Sequence, residues 1–133
     1  MNIFTYGSLM FPDVWLRVAG TPFPTRPATL PGFAAWAVRG QTFPGLAPAP
    51  QAATRGVLHL DVTTEAAARL DAFEGAFYER VQVTVRLDDG TSAPACVYLV
   101  VPARRHELEP VLWDAETFRR LHLAGFLGPG EPA

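Results

Sequence analysis

The chain has 133 residues, enough for one domain with a real core, and 49% of them are hydrophobic against 18% charged. A net charge of −2 and a single short basic cluster, Arg104-Arg105-His106, give nothing that would grip nucleic-acid phosphates or an anionic membrane. All 11 basic residues are Arg, so a P-loop lysine, Schiff-base chemistry and a pyridoxal-phosphate site are excluded.

Residues 1–6 read as a first strand ending at Gly7-Ser8, without the basic start of a signal peptide. Pro12 opens a short helix over 12–19. Residues 21–31 are too Pro-rich for a helix, and 33–38 read as a strand. Residues 41–51 read as a Pro/Gly-rich connection with room for a short edge strand near Leu46. Residues 55–62 alternate as a strand, with His59 and Asp61 between Val57, Leu58 and Leu60.

Thr63 or Thr64 can cap a helix running to Phe73, with Ala67, Leu70 and Phe73 near one face and Gly75 at the stop. Residues 78–87 place Val81, Val83, Val85 and Leu87 on one face, Asp89-Gly90 signals a hairpin, and 93–101 return. A last helix is expected over 115–123. Residues 1–127 form one domain in this reading, and 128–133 a frayed tail. Five or six strands with short helices give an α+β fold, a small, mixed, partly closed β-barrel with short flanking helices. No apolar run is long enough to span a bilayer, and the expected localisation is cytoplasmic.

Two places combine residue types that do chemistry. Tyr6-Gly7-Ser8-Leu9 lies between a strand and a helix, where successive amides can form a nest for a carboxylate. The same four residues also read as a turn that needs Gly and Ser for its geometry. Glu74 ends a helix, facing the negative end of its dipole, a placement that costs about 0.3–1 kcal/mol. The dipole, and burial beside Phe73 and Phe77, would raise its pKa and suit it to accept and donate a proton near neutrality. The other reading has Glu74 solvated or paired with Arg80.

Other constellations fail on spacing. Ser8 and Ser92 are the only serines, neither in a Gly-x-Ser-x-Gly elbow. His59 and Asp61 merely share a strand face, leaving a Ser8–His59–Asp61 triad as a minor alternative. His59, His106 and His122 lack metal-ligand spacing, so no metal site is expected. Lone Cys96 reads as a buried, inert thiol, Tyr98 as a cavity wall or a packing residue, and Trp15, Trp36 and Trp113 as core or rim aromatics.

The two chemical constellations, in their order, resemble the γ-glutamylcyclotransferase superfamily in its AIG2-like branch. The carriers run from Phe4-Thr5-Tyr6-Gly7-Ser8-Leu9 through Leu30-Pro31-Gly32-Phe33, Phe43-Pro44-Gly45 and Gly56-Val57-Leu58. They continue with Leu70-Asp71-x-Phe73-Glu74-Gly75 and Tyr78-x-Arg80, ending near Val100. The resemblance implies a small mixed barrel with a polar cavity at one end and no cofactor. It implies a small-molecule γ-glutamyl substrate that closes into 5-oxoproline and releases an amine. It assigns Glu74 as general acid/base and Tyr6, Gly7, Ser8 and Leu9 as the substrate loop, with Tyr78 as a cavity wall. Leu9 stands where enzymes acting on free γ-glutamyl amino acids typically carry Asn, and this Leu form is more similar to γ-glutamylamine cyclotransferases and the AIG2-like proteins. A non-catalytic metabolite-binding module and a Ser8-dependent hydrolase are the competing classes.

Overall fold

The computed structural model describes residues 1–127. Six strands, β1 (Ile3–Thr5), β2 (Thr25–Val38), β3 (Pro44–His59), β4 (Tyr78–Leu87), β5 (Ser92–Val100) and β6 (Leu108–Leu112), form one sheet. Helices α1 (Pro12–Ala19), α2 (Thr64–Glu74), α3 (Ala115–Leu121) and α4 (Leu123–Leu127) flank it. The strands run in the order β3-β1-β5-β4-β2-β6, and a further β2–β3 pairing closes the first five into a ring. The barrel is therefore closed, not partly closed as the sequence suggests, and β6 is an added strand on β2. β1 pairs antiparallel with β3 and parallel with β5, which makes the sheet mixed. The residues expected to form the frayed tail, 128–133, lie outside those described.

Closure comes from strands longer than the Pro content suggests. β2 starts at Thr25 and β3 at Pro44, and they pair from Thr25↔His59 to Ala37↔Pro44 with one irregularity between Pro31 and Phe33. A proline removes a ladder donor, but Pro27 and Pro31 are four residues apart, as are Pro44 and Pro48. On each strand an even spacing sends the missing donors toward one edge, so the other ladder survives. Gly32 occupies the irregularity at φ +85°, a conformation L side chains rarely adopt. What reads as a connection over 41–51 is mostly strand, and its alternation is masked because small Ala and Pro side chains line both faces.

Period-two alternation sorts the side chains into two cores. Phe4, Tyr6, Val85, Leu87, Val97 and Leu99 fill the barrel interior. Ile3 and Tyr98 point outward and pack with Val14, Trp15, Ala67 and Leu70 of α1 and α2. Thr63 caps α2 by accepting from the Ala66 amide at 3.2 Å, an arrangement that typically stabilises a helix by about 1 kcal/mol. Gly75 ends it at φ +70° and returns its amide to the Asp71 carbonyl. A 3-10 turn, Gly75–Phe77, then delivers the chain to β4. These two facts hold Glu74 at a fixed corner between the helical layer and the barrel.

Candidate active site

That corner opens on a cavity of about 440 Å³. Tyr6, Gly7, Ser8 and Leu9 line it together with Glu74 and Tyr78, so all six sequence-derived candidates share one wall system. Tyr98 also lines it, along with Phe43 and Pro44 before and at the start of β3, Phe73 of α2 and Phe126 of α4.

The loop after β1 is a 3-10 turn over Ser8–Met10, closed by Met10 N–H to Gly7 O at 3.0 Å and Phe11 N–H to Ser8 O at 3.1 Å. The Ser8 and Leu9 amides precede those bonds and so have no partner within the turn, as at any helical start. Gly7 sits at φ −123°, outside the left-handed region. Its need for glycine is contact: a Cβ there would lie 2.9 Å from Pro44 Cγ. The loop turns as expected, and its glycine answers to the close approach of the Pro44 segment, with no left-handed backbone involved.

Glu74 is half-buried. Burial, reinforced by the nearby Asp71 carboxylate, pushes its pKa up to about 8. It does not take Arg80 as a partner. Arg80 makes a two-pronged pair with Asp71, Nε to Oδ1 at 3.0 Å and Nη2 to Oδ2 at 3.1 Å. Tyr98 donates its hydroxyl to the same Asp71 Oδ1 at 2.7 Å. Asp71 lies one turn before Glu74 on α2, so spacing alone places both carboxylates on one face. The i, i+3 spacing of Asp71 and Glu74 carries that signal in the sequence.

The tyrosines brace the walls. Tyr6 donates to the Tyr98 carbonyl at 2.6 Å, and Tyr78 donates to the Pro44 carbonyl at 2.5 Å. Burial raises both phenols, and the Glu74 charge raises them further. Both therefore stay neutral and tie strand to strand, which makes the Tyr6 and Tyr78 rings wall residues with engaged hydroxyls. The lip is held by Trp113, whose indole donates to the Thr42 carbonyl at 2.8 Å.

His59 serves elsewhere. Its Nε2 lies 3.1 Å from Thr5 Oγ1, and its ring stacks on Trp15 at 3.7 Å with an interplanar angle of 2°. Thr5 Oγ1 also lies 3.2 Å from the Val57 carbonyl, to which it donates. It therefore accepts from His59, which fixes the Nε2–H tautomer. Burial lowers the His59 pKa to about 4, so the ring is neutral. His59 does not line the cavity that Ser8 lines, and this removes the base that a Ser8–His59–Asp61 triad needs. Cys96, expected buried, is partly exposed. Among the described residues no three His, Cys, Asp or Glu side chains gather as a metal site requires, and no helix is long and apolar enough to cross a membrane.

Comparisons with known proteins bear on the family and the fold. Residues 3–118 match the family described as γ-glutamyl cyclotransferase, AIG2-like. The chain is 32% identical over 127 residues to AIG2-like protein D of Arabidopsis thaliana, covering 95% of this chain and 84% of that protein. A solution structure of an Arabidopsis thaliana protein superposes with a TM-score of 0.73 at 30% identity, over 95% of this chain and 85% of the other. A yeast γ-glutamyl cyclotransferase specific to glutathione shares the fold, with a TM-score of 0.63 at 17% identity over 83% and 72% of the two chains.

Proposed function

Because this chain belongs to the AIG2-like γ-glutamyl cyclotransferase family, we propose that it cyclises a γ-glutamyl amide to 5-oxoproline with release of the amine. The observation that carries the reading is Glu74, a carboxyl raised to about 8 at the wall of a cavity that also holds the Tyr6–Leu9 loop.

The reaction asks little of the protein. The substrate's α-nitrogen attacks its own γ-carbonyl, a bond forms to close the five-membered ring, and the bond to the amine breaks. Tethering makes the attack intramolecular, so holding the folded-back conformer supplies much of the acceleration. The α-ammonium gives up two protons in becoming the ring amide, and the departing nitrogen gains two in leaving as an ammonium ion. Glu74 carries a proton from the first nitrogen to the second, and a group with a pKa near the operating pH does this best in both directions. The Ser8 and Leu9 amides, which have no partner within their turn, are suited to the substrate's α-carboxylate. Asp71, held by Arg80 and Tyr98, keeps a second negative charge beside Glu74 and so maintains its basicity.

Incubation with γ-glutamyl amides and separation of the products tests the reading. Cyclisation yields 5-oxoproline, hydrolysis yields glutamate, and a binding module yields neither. Either of the last two outcomes, across amides of varied amine portion, would reject it.

A further inference from the structure

The end of α2 that carries Glu74 is thinly packed. The buried side chains of the helix are Ala66, Ala67 and Leu70, and none lies beyond Leu70. Asp71, Phe73 and Glu74 are half-buried, and Ala72 is exposed. Apolar burial therefore seats the start and middle of α2 and leaves the setting of its last turn largely to polar contacts.

Those contacts converge on Asp71. Arg80 of β4 and Tyr98 of β5 are direct cross-strand partners, so their side chains leave the same face of the sheet. Both reach the Asp71 carboxylate. The two ties are unequal. The Arg80–Asp71 pair lies at the surface, where ion pairs contribute little. Tyr98 is only 4% exposed and donates to Asp71 Oδ1 at 2.7 Å, and a hydrogen bond to a charged acceptor is of the stronger kind.

Tyr98 also holds the other half of the site. Its carbonyl accepts from the Tyr6 hydroxyl at 2.6 Å, and Tyr6 begins the Tyr6–Leu9 loop. One residue thus ties β5 to the loop and to the helix end that bears Glu74. Its ring lines the cavity, but its single hydroxyl proton is given to Asp71. Burial, and then the bond to Asp71, push the phenol far above its ordinary value, so it stays neutral.

We propose that Tyr98 is a positioning residue: holding Asp71 through its hydroxyl and Tyr6 through its carbonyl, it sets Glu74 against the Tyr6–Leu9 loop. The kinetic consequence rests on the cyclotransferase reading; the geometric one does not. A proton carrier misplaced by about 1 Å can lose up to about 10²-fold in rate.

Tyr98→Phe removes the hydroxyl and keeps the ring and the carbonyl. With the amide that the wild type turns over best, kcat should fall about tenfold or more while calorimetric affinity for 5-oxoproline stays within a few-fold. Asp71→Ala leaves no carboxylate to hold, so adding Tyr98→Phe to it should change kcat by less than about twofold. An unchanged kcat in Tyr98→Phe overturns the proposal. An equal fall in both backgrounds also overturns it, because the hydroxyl then acts on substrate directly. A second readout needs no substrate. The Glu74 carboxyl carbon, followed by NMR and assigned by its loss in Glu74→Gln, should titrate at about 8 in the wild type. Without the Tyr98 proton the Asp71 charge is less offset, so Tyr98→Phe should raise that midpoint by about half a unit or more and leave it unmoved in the Asp71→Ala background. A midpoint that Tyr98→Phe does not move overturns the proposal. The expected shift, together with no 5-oxoproline from the wild type, leaves the role of Tyr98 standing and rejects the cyclotransferase reading instead.

Discussion

Replacing Glu74 by Gln should change stability in a strongly pH-dependent way. The native Glu74 carboxyl is raised to about 8 from its ordinary value of 4.5, first by burial and then by Asp71. A carboxyl whose folded pKa is raised holds its proton more tightly in the native state. Between about 4.5 and 8 the unfolded chain binds fewer protons than the folded one, so stability falls as pH rises through that window. At one unit per 1.36 kcal/mol the full shift corresponds to about 5 kcal/mol, and the partial exposure of Glu74 screens this to roughly 2–4 kcal/mol. Glutamine cannot ionise and escapes the loss. Thermal melts of the two proteins should therefore diverge as pH rises, with Glu74→Gln gaining on the order of 10 °C relative to wild type between pH 5 and pH 9. His59, lowered to about 4, is common to both proteins and cancels in the difference. A melting difference that stays constant across that range would refute the claim that Glu74 is a buried carboxyl with a raised pKa.

Three further perturbations address the parts around it. Gly7→Val places side-chain carbon within 2.9 Å of Pro44 Cγ, so it should displace the loop and weaken 5-oxoproline binding by about tenfold or more in calorimetry. Unchanged affinity would make the loop merely a turn. Asp71→Asn removes the second charge, so the acid limb of kcat/KM should move to lower pH. A limb that stays or moves up would deny Asp71 that influence. Gly56→Ala puts a Cβ 2.2 Å from the Thr5 carbonyl oxygen, and the forced β1–β3 separation should cost about 2 kcal/mol or more in denaturant unfolding.

Much of this arrangement is legible in the sequence where local physics decides. α1 and β4 have the bounds expected, because Pro12 fixes a helical start and the alternation of Val81, Val83, Val85 and Leu87 fixes a strand. Thr63 and Gly75 similarly mark the ends of α2. β2 and β3 were foreshortened because proline reads as interruption, whereas its effect depends on which neighbour the lost donor faces. β6 escaped entirely, since Leu108–Leu112 carries Pro110 and has mostly exposed residues, leaving no alternation to detect. The candidate site was legible as two motifs far apart in the chain. The contributions of Phe43 and Phe126 arise from ring contacts between distant segments, and no local pattern announces them. Helix α4 was likewise expected only as the end of one helix over 115–123, but the chain breaks at His122 and restarts to bring Phe126 over Phe73.

The central claim is that Glu74 is the proton carrier in an intramolecular cyclisation. The most direct test follows 5-oxoproline release by the wild type and by folded Glu74→Gln, with the amide the wild type turns over best. Loss of a general acid/base should lower kcat by about 10²–10⁴-fold while substrate affinity in calorimetry stays within a few-fold. Turnover by Glu74→Gln at the wild-type rate would contradict the claim, whatever substrate it acts on.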